Sequence, residues 1–358
     1  MDFAFSDEQQ AIAEVVRNLL RAECSGADLR RLMDSGQPRD DARWRQILDL
    51  GLTGIMVPED RGGLGLDETD FVLIAQACGH AALPEPLVEL AGVVLPLLAA
   101  IDHPRAAEEL ERALAGEATL AFGHPSNPFV ADADTAKALL LVHDGALHLV
   151  ERADVDLVAQ PGVDPFRRLS RVVWTPSAKT RVADARTAAP VLAAAFERGA
   201  VFAAAQCIGL AERSVELAVD YARERTQFGK PIGVNQAVKH LLATAQVRIE
   251  FARPVVFAAA AERAADNALS RARASHAKLA AAEAASLAAR TAIQVHGAMG
   301  YSWEVDVHFL LKRGLALAGV WGDESLHRAR VKACALASPD TDHSFAWAAQ
   351  KEDAAHAA

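Results

Sequence analysis

The chain has 358 residues, of which 51% are hydrophobic and 23% charged, with a net charge of −10. That suits a globular protein of two or three domains with a sizeable core, and it argues against a nucleic-acid backbone as partner, which demands a dense positive stripe. Cys24, Cys78, Cys207 and Cys334 lie far apart, so the spacing argues against a disulfide framework or a metal site and fits a reducing cytoplasm; no charged-then-apolar leader is visible.

Along the chain, Ser6 to Gln9 reads as a capping box, and Ile12, Val15, Val16, Leu19 and Leu20 continue it at helical spacing. A second helix is expected over 41–50, stopped by Gly51. Residues 58–65, with three glycines and Pro58, read as a loop. Helices are expected again over 69–80, 87–99 and 104–114. The apolar run 87–101 is interrupted by Glu89 and Pro96; it is too short and broken to cross a bilayer and reads as a buried helix pair. Near Ala118 the pattern changes. Apolar runs at 139–142 and 147–150 flank Asp144-Gly145, a two-residue hairpin signal, and 171–175 looks like a further strand. From Pro190 on, the chain is rich in alanine and helical. Residues 227–236 form a break, long helices follow over 236–263 and 270–295, and a last one starts after Glu324. Such helices suit a four-helix bundle. The expected fold is mainly α with a small antiparallel β domain. The expected division is an N-terminal helical domain (1–117), a middle β domain (118–188), a C-terminal helical bundle (189–337) and a frayed tail (338–358).

Three motifs carry a family resemblance. Tyr221-Ala222-Arg223-Glu224-Arg225-Thr226-Gln227-Phe228-Gly229-Lys230-Pro231-Ile232 precedes Asn235-Gln236, with Asn235 where the family usually has Phe. Gln294-Val295-His296-Gly297-Ala298-Met299-Gly300-Tyr301-Ser302-Trp303-Glu304 follows, with Ala298 in place of a second glycine. Val57-Pro58-Glu59 precedes Gly62-Gly63-Leu64-Gly65. In this order and layout they resemble the acyl-CoA dehydrogenase family, from about residue 3 to residue 332. The resemblance implies FAD as cofactor, an acyl-CoA substrate, and electron-transfer flavoprotein as electron acceptor. It also implies a homo- or hetero-oligomer, a dimer or tetramer, in which cofactor contacts come from the neighbouring subunit. By resemblance, Arg225, Thr226, Gln227 and Phe228 hold the diphosphate and ribityl end, and Gln236, Gln294, Gly297 and Ala298 approach the adenosine. A pyrophosphate needs fixed positive charge and backbone donors, which agrees. Seen alone, Arg225 reads first as a cation at a helix C-terminus, and the neighbouring motif reverses that order; Gly297 and Gly300 read equally as helix stops, and His296 alone as a structural histidine rather than a catalyst.

The family's reaction needs a carboxylate beside the acidic α-C–H of the thioester and donors for the charge that develops on its oxygen. Where most members carry a loop glutamate, this chain has Trp321, in Val320-Trp321-Gly322-Asp323. Other members place the base in the first bundle helix in a Glu-Arg pair. Glu197-Arg198 looks like that pair, which makes Glu197 the candidate base. An ungapped count back from Gly209-Leu210 puts Gly199 at that position instead, and residues two apart on a helix face about 200° apart. The family's flavin-touching β-domain motif corresponds to 122–128, and its second motif is not visible. The resemblance leaves three readings: a complete acyl-CoA dehydrogenase for a fatty, branched or steroid-derived acyl chain; a partner subunit of a heteromeric one; and a flavin oxidase or monooxygenase on the same fold. No membrane span and no nucleic acid are expected, and a cytoplasmic location is.

Overall fold

A computed structural model describes residues 4–263 and 267–337; the tail expected to fray, 338–358, lies outside them. Helix α1 (Asp7–Glu23) begins at the capping box read from the sequence: Ser6 Oγ accepts from the Gln9 amide at 3.1 Å, and Gln9 Oε1 accepts from the Ser6 amide at 3.0 Å. Helices α2 (Gly26–Ser35), α3 (Asp41–Asp49) and α4 (Glu68–His80) follow. The sequence reading missed α2, although Ser25 and Asp28 form a second capping box in front of it. The run over Leu87–Ala99 is one helical stretch, not a pair. It comprises α5 (Leu87–Glu89), a π turn (Leu90–Val94) and α6 (Leu95–Ala99). Helix α7 (Pro104–Leu114) closes the first part.

The middle region holds two small sheets. Strands β1 (Leu120–Gly123), β3 (Ala138–His143), β4 (Ala146–Glu151) and β7 (Arg181–Ala183) lie in the order β1-β3-β4-β7. The β3–β4 hairpin turns at Asp144-Gly145, with His143 paired to Ala146. Strand β1 pairs with β3 in parallel, a departure from the all-antiparallel expectation, because residues 124–137 carry the chain back to the same end before β3 begins. Strands β2 (Val130–Ala131), β6 (Leu169–Val173) and β5 (Asp156–Gln160) form the second, antiparallel sheet.

Helix α8 (Ala185–Glu224) is the spine of the molecule; Asp184 caps it, accepting from the Thr187 amide at 2.8 Å. It alone is long and apolar enough, among the described residues, to cross a membrane, yet 61% of its most apolar stretch is buried inside the protein. It packs against α4 with backbones in touch: a Cβ on Gly209 would lie 2.0 Å from the Gln76 carbonyl. Side chains thicken the seam elsewhere, as where Phe71 and Phe202 meet edge-on at 4.9 Å. A two-strand hairpin, β8 (Thr226–Gln227) and β9 (Lys230–Pro231), leads to α9 (Gln236–Ala261). Helix α10 (Ala268–His296) buries Ala277, Ala281, Ala284, Ala285, Ala288 and Ala292 at helical spacing, which lets the long helices approach closely. Helices α11 (Val307–Gly319), unforeseen in the sequence, and α12 (Glu324–Ala337) complete the bundle.

Candidate functional site

Two regions collect the residues with chemistry. The first is the seam where α8, the β region and the α11–α12 loop meet. Trp321 sits in that loop with a left-handed backbone, φ 57°, an unusual conformation for a bulky residue. Fixed contacts on both sides of the residue hold it there. Its amide donates to Asn127 Oδ1 at 2.8 Å, and its carbonyl lies 2.9 Å from His327 Nε2. The indole is 2% exposed. It packs with Phe122 and His124, at ring separations of 6.0 and 5.3 Å, and His124 in turn meets Phe196 at 5.8 Å. Burial drives both His124 and His327 down to about 4, so this stack carries no charge at neutral pH. The far side of the indole rests on α8 at Gly199, where a Cβ would lie 2.2 Å from it. The two alternative base positions of the sequence reading thus touch each other, one as glycine and the other as tryptophan.

Glu197, the candidate base, is buried, and its carboxylate takes an ion pair from Arg330. The Arg330 guanidinium also lies 4.9 Å above the Phe196 ring. Burial raises the Glu197 carboxyl, and Arg330 works against that rise. Under Trp321 lies a cavity of about 80 Å³ whose walls include Glu89, Asp132, Arg167, Gly199 and Gln206. Glu197 is not part of those walls. The sequence reading passed over Glu89, Asp132 and Arg167. Glu89 did stand out as a charge inside an apolar run, but only as an interruption. Burial raises Glu89, opposed by Arg167 and by the Trp321 side chain. Burial first, then the Glu89 charge, pushes Asp132 up to about 7.

The second region is one end of the bundle. Helix α8 ends at Arg225, whose amide donates to the Tyr221 carbonyl at 2.8 Å and whose own carbonyl accepts from Ile232 at 2.8 Å. These bonds launch the hairpin in which Thr226 pairs with Pro231 and Gln227 with Lys230. Its two-residue tip is Phe228 and Gly229, at φ 50° and 78°, the double positive-φ corner that matches strand twist. Phe228 is 99% exposed. Gln236 opens α9, also exposed. The other turn begins where α10 stops: Gln294, Gly297 and Ala298 are exposed, and nothing crowds Gly297. Tyr221 and His296, one from each motif, stack at 4.2 Å with rings 22° apart, and His296 Nδ1 lies 2.7 Å from the Ala292 carbonyl. All eight candidate cofactor residues therefore lie at the same end of one chain.

An exposed guanidinium, exposed amide side chains and an uncrowded glycine corner suit an anionic dinucleotide. The cavity under Trp321, at about 80 Å³, is too small for a three-ring flavin. A more open groove of about 250 Å³ runs along the same seam, past Asn127, Phe129, Gly162 and Gly319.

Comparison with known proteins places these features. Residues 6–117 match the family described as "Acyl-CoA dehydrogenase, N-terminal domain", and residues 189–335 match "Acyl-CoA dehydrogenase, C-terminal domain". The chain is 33% identical over 308 residues to acyl-CoA dehydrogenase IpdE2 of Mycobacterium tuberculosis, covering 86% of this chain and 91% of that one. It is 34% identical over 364 residues to acyl-CoA dehydrogenase FadE34 of the same organism, covering 92% of this chain but 48% of that longer one. Among solved structures, the fold is shared with the ChsE4-ChsE5 complex of M. tuberculosis, with a TM-score of 0.82, 23% identity and coverage of 95% of this chain and 100% of that one. It is shared also with butyryl-CoA dehydrogenase of Megasphaera elsdenii, with a TM-score of 0.83, 19% identity and coverage of 94% and 100%.

Proposed function

The chain belongs to the acyl-CoA dehydrogenase family of FAD-dependent oxidoreductases, and from that premise we propose that it is the cofactor-lending subunit of a heteromeric acyl-CoA dehydrogenase. One observation carries the reading. The Trp321 indole rests on Gly199, so neither family base position offers a carboxylate. Glu197, the remaining candidate, is held by Arg330. The exposed end of the bundle is intact by contrast, with Arg225 and Phe228 on one turn and Gln294, Gly297 and Ala298 on the other.

When bound, the flavin oxidises the Cα–Cβ bond of the acyl thioester. This chain's own residues act by holding it. Arg225 meets the diphosphate with a fixed positive charge. Thr226, Gln227 and Phe228 border the ribityl end, and Gln236, Gln294, Gly297 and Ala298 border the adenosine. Phe228, solvated in the single chain, is placed to be covered in the assembly. The α-proton base comes from the companion chain. Electron-transfer flavoprotein is the proposed acceptor, and the proposed domain division is 1–117, 118–188 and 189–337. A cytoplasmic location is supported by four free cysteines.

Expression with and without a full-length homologous companion tests this. Supporting results are a chain that is colourless or insoluble alone and yellow and soluble in the complex, with acyl-CoA-dependent dye reduction found only there. A chain that is yellow and reduces the dye by itself is a complete enzyme and refutes the proposal.

A further inference from the structure

The two turns assigned to the cofactor rest on a small apolar cluster separate from the main core. It is built from Ala218 and Ala222 of α8, Ala292 and Val295 of α10, and Val307 of α11, with Tyr221 packed at its edge. One glycine fastens each turn to its own helix. A Cβ on Gly233, just past the hairpin, would lie 2.9 Å from the Ala222 carbonyl of α8, and one on Gly300 would lie 2.5 Å from the Ile293 carbonyl of α10. Those close approaches leave open how one turn stands relative to the other. Where α8 meets α10 at this end, the buried side chains of the cluster are three alanines and one valine, and small, smooth side chains do little to specify one arrangement.

The stack of Tyr221 on His296 supplies the missing shape. The ring centres are 4.2 Å apart and the planes 22° from parallel, so two flat faces meet across the two helices. His296 is 7% exposed. Its Nδ1 donates to the Ala292 carbonyl at 2.7 Å, which sets the plane of the ring. Tyr221 is tied to the other turn through its backbone, its carbonyl accepting from the Arg225 amide at 2.8 Å. The stack therefore stands one helical turn before Arg225 and directly before Gly297.

We propose that Tyr221 and His296 are a positioning pair for the cofactor: their stack sets the spacing between the turn that meets the diphosphate and the turn that meets the adenosine. Neither ring has to touch the dinucleotide. FAD engages both turns at once, so a loosened spacing weakens the two contacts together, as loss of a supporting shell does at any preorganised site. The inference rests on the cofactor-lending reading. A leucine at either position would fill much of the same volume but has no flat face, so packing and positioning can be separated.

The rate at which FAD leaves the purified assembly of full-length chains tests it, followed by flavin fluorescence after dilution. Tyr221→Leu and His296→Leu should each speed release about fivefold, the effect of losing one aromatic pair beyond its buried area. The double variant should release FAD no faster than either single one, because the two rings act as a unit. His296→Phe keeps a flat ring and should restore most of the slow release. Unchanged release in both leucine variants would overturn the proposal, as would effects that multiply in the double variant or a phenylalanine no better than leucine. An assembly that holds no FAD before any substitution would refute the cofactor-lending reading, and this inference with it.

Discussion

The indole of Trp321 lies directly on Gly199, close enough that a methyl group at position 199 would sit 2.2 Å from Trp321 Cδ2. A helix-interior glycine is normally about 1 kcal/mol worse than alanine. Here Gly199→Ala should instead destabilise, because overpacking costs about 1–3 kcal/mol. In a Trp321→Gly background, which also relieves the left-handed backbone, the same change should be neutral or stabilising. Denaturant unfolding of the four proteins of that cycle reads the coupling. An equal cost of Gly199→Ala in both backgrounds would mean that the contact is not what keeps the glycine.

Glu197→Gln should leave turnover of the assembled enzyme within about twofold and lower stability by about 1–3 kcal/mol through the weakened Arg330 pair. Steady-state kinetics and thermal unfolding on the same preparation separate the two effects. Loss of turnover at unchanged stability would return Glu197 to the role of base.

Arg225→Ala and Phe228→Ser change exposed side chains. Each should move the stability of the chain itself by no more than about 0.5 kcal/mol. Both should lower flavin retention in the assembly, measured as the flavin-to-protein absorbance ratio after extensive dialysis. Undiminished retention in Arg225→Ala would contradict its assigned place at the diphosphate.

Asp132 predicts a pH dependence. Burial, then Glu89 and Asp134, lifts its carboxyl from the usual 3.8 to about 7, against the pull of Arg167 and Arg313. Across that window the folded chain keeps a proton that the unfolded chain has lost. Its contribution to stability is therefore fully present at the acid end and falls as pH rises, by up to about 1.4 kcal/mol per pH unit from this one group. Asp132→Asn cannot ionise, so melting temperatures followed from acid to neutral pH should fall less steeply than in the parent. Parallel profiles would show that Asp132 does not hold the proton.

Much of this was legible in the sequence, because caps, apolar periods and an Asp-Gly turn are local signals. Ser6 and Gln9, the β3–β4 hairpin and the long alanine-rich helices all follow from neighbours within a few residues. Helix α2 was legible too, in Ser25 and Asp28, and was overlooked. The parallel pairing of β1 was not, since register between distant strands depends on the path of the connection. The same holds at the site. Gly199 and Trp321 were each recognised as oddities at a base position, but 122 residues separate them, and only folding shows that the oddities are one contact. Glu89 looked like a blemish in an apolar helix because a single sequence does not reveal which buried charge faces a cavity.

Cofactor stoichiometry in the purified assembly tests the central claim most directly. If this chain lends its two turns to a companion's flavin, chemical flavin analysis against quantified subunits should give one FAD for each pair of unlike chains. One FAD for every copy of this chain in an assembly built from it alone would contradict the account.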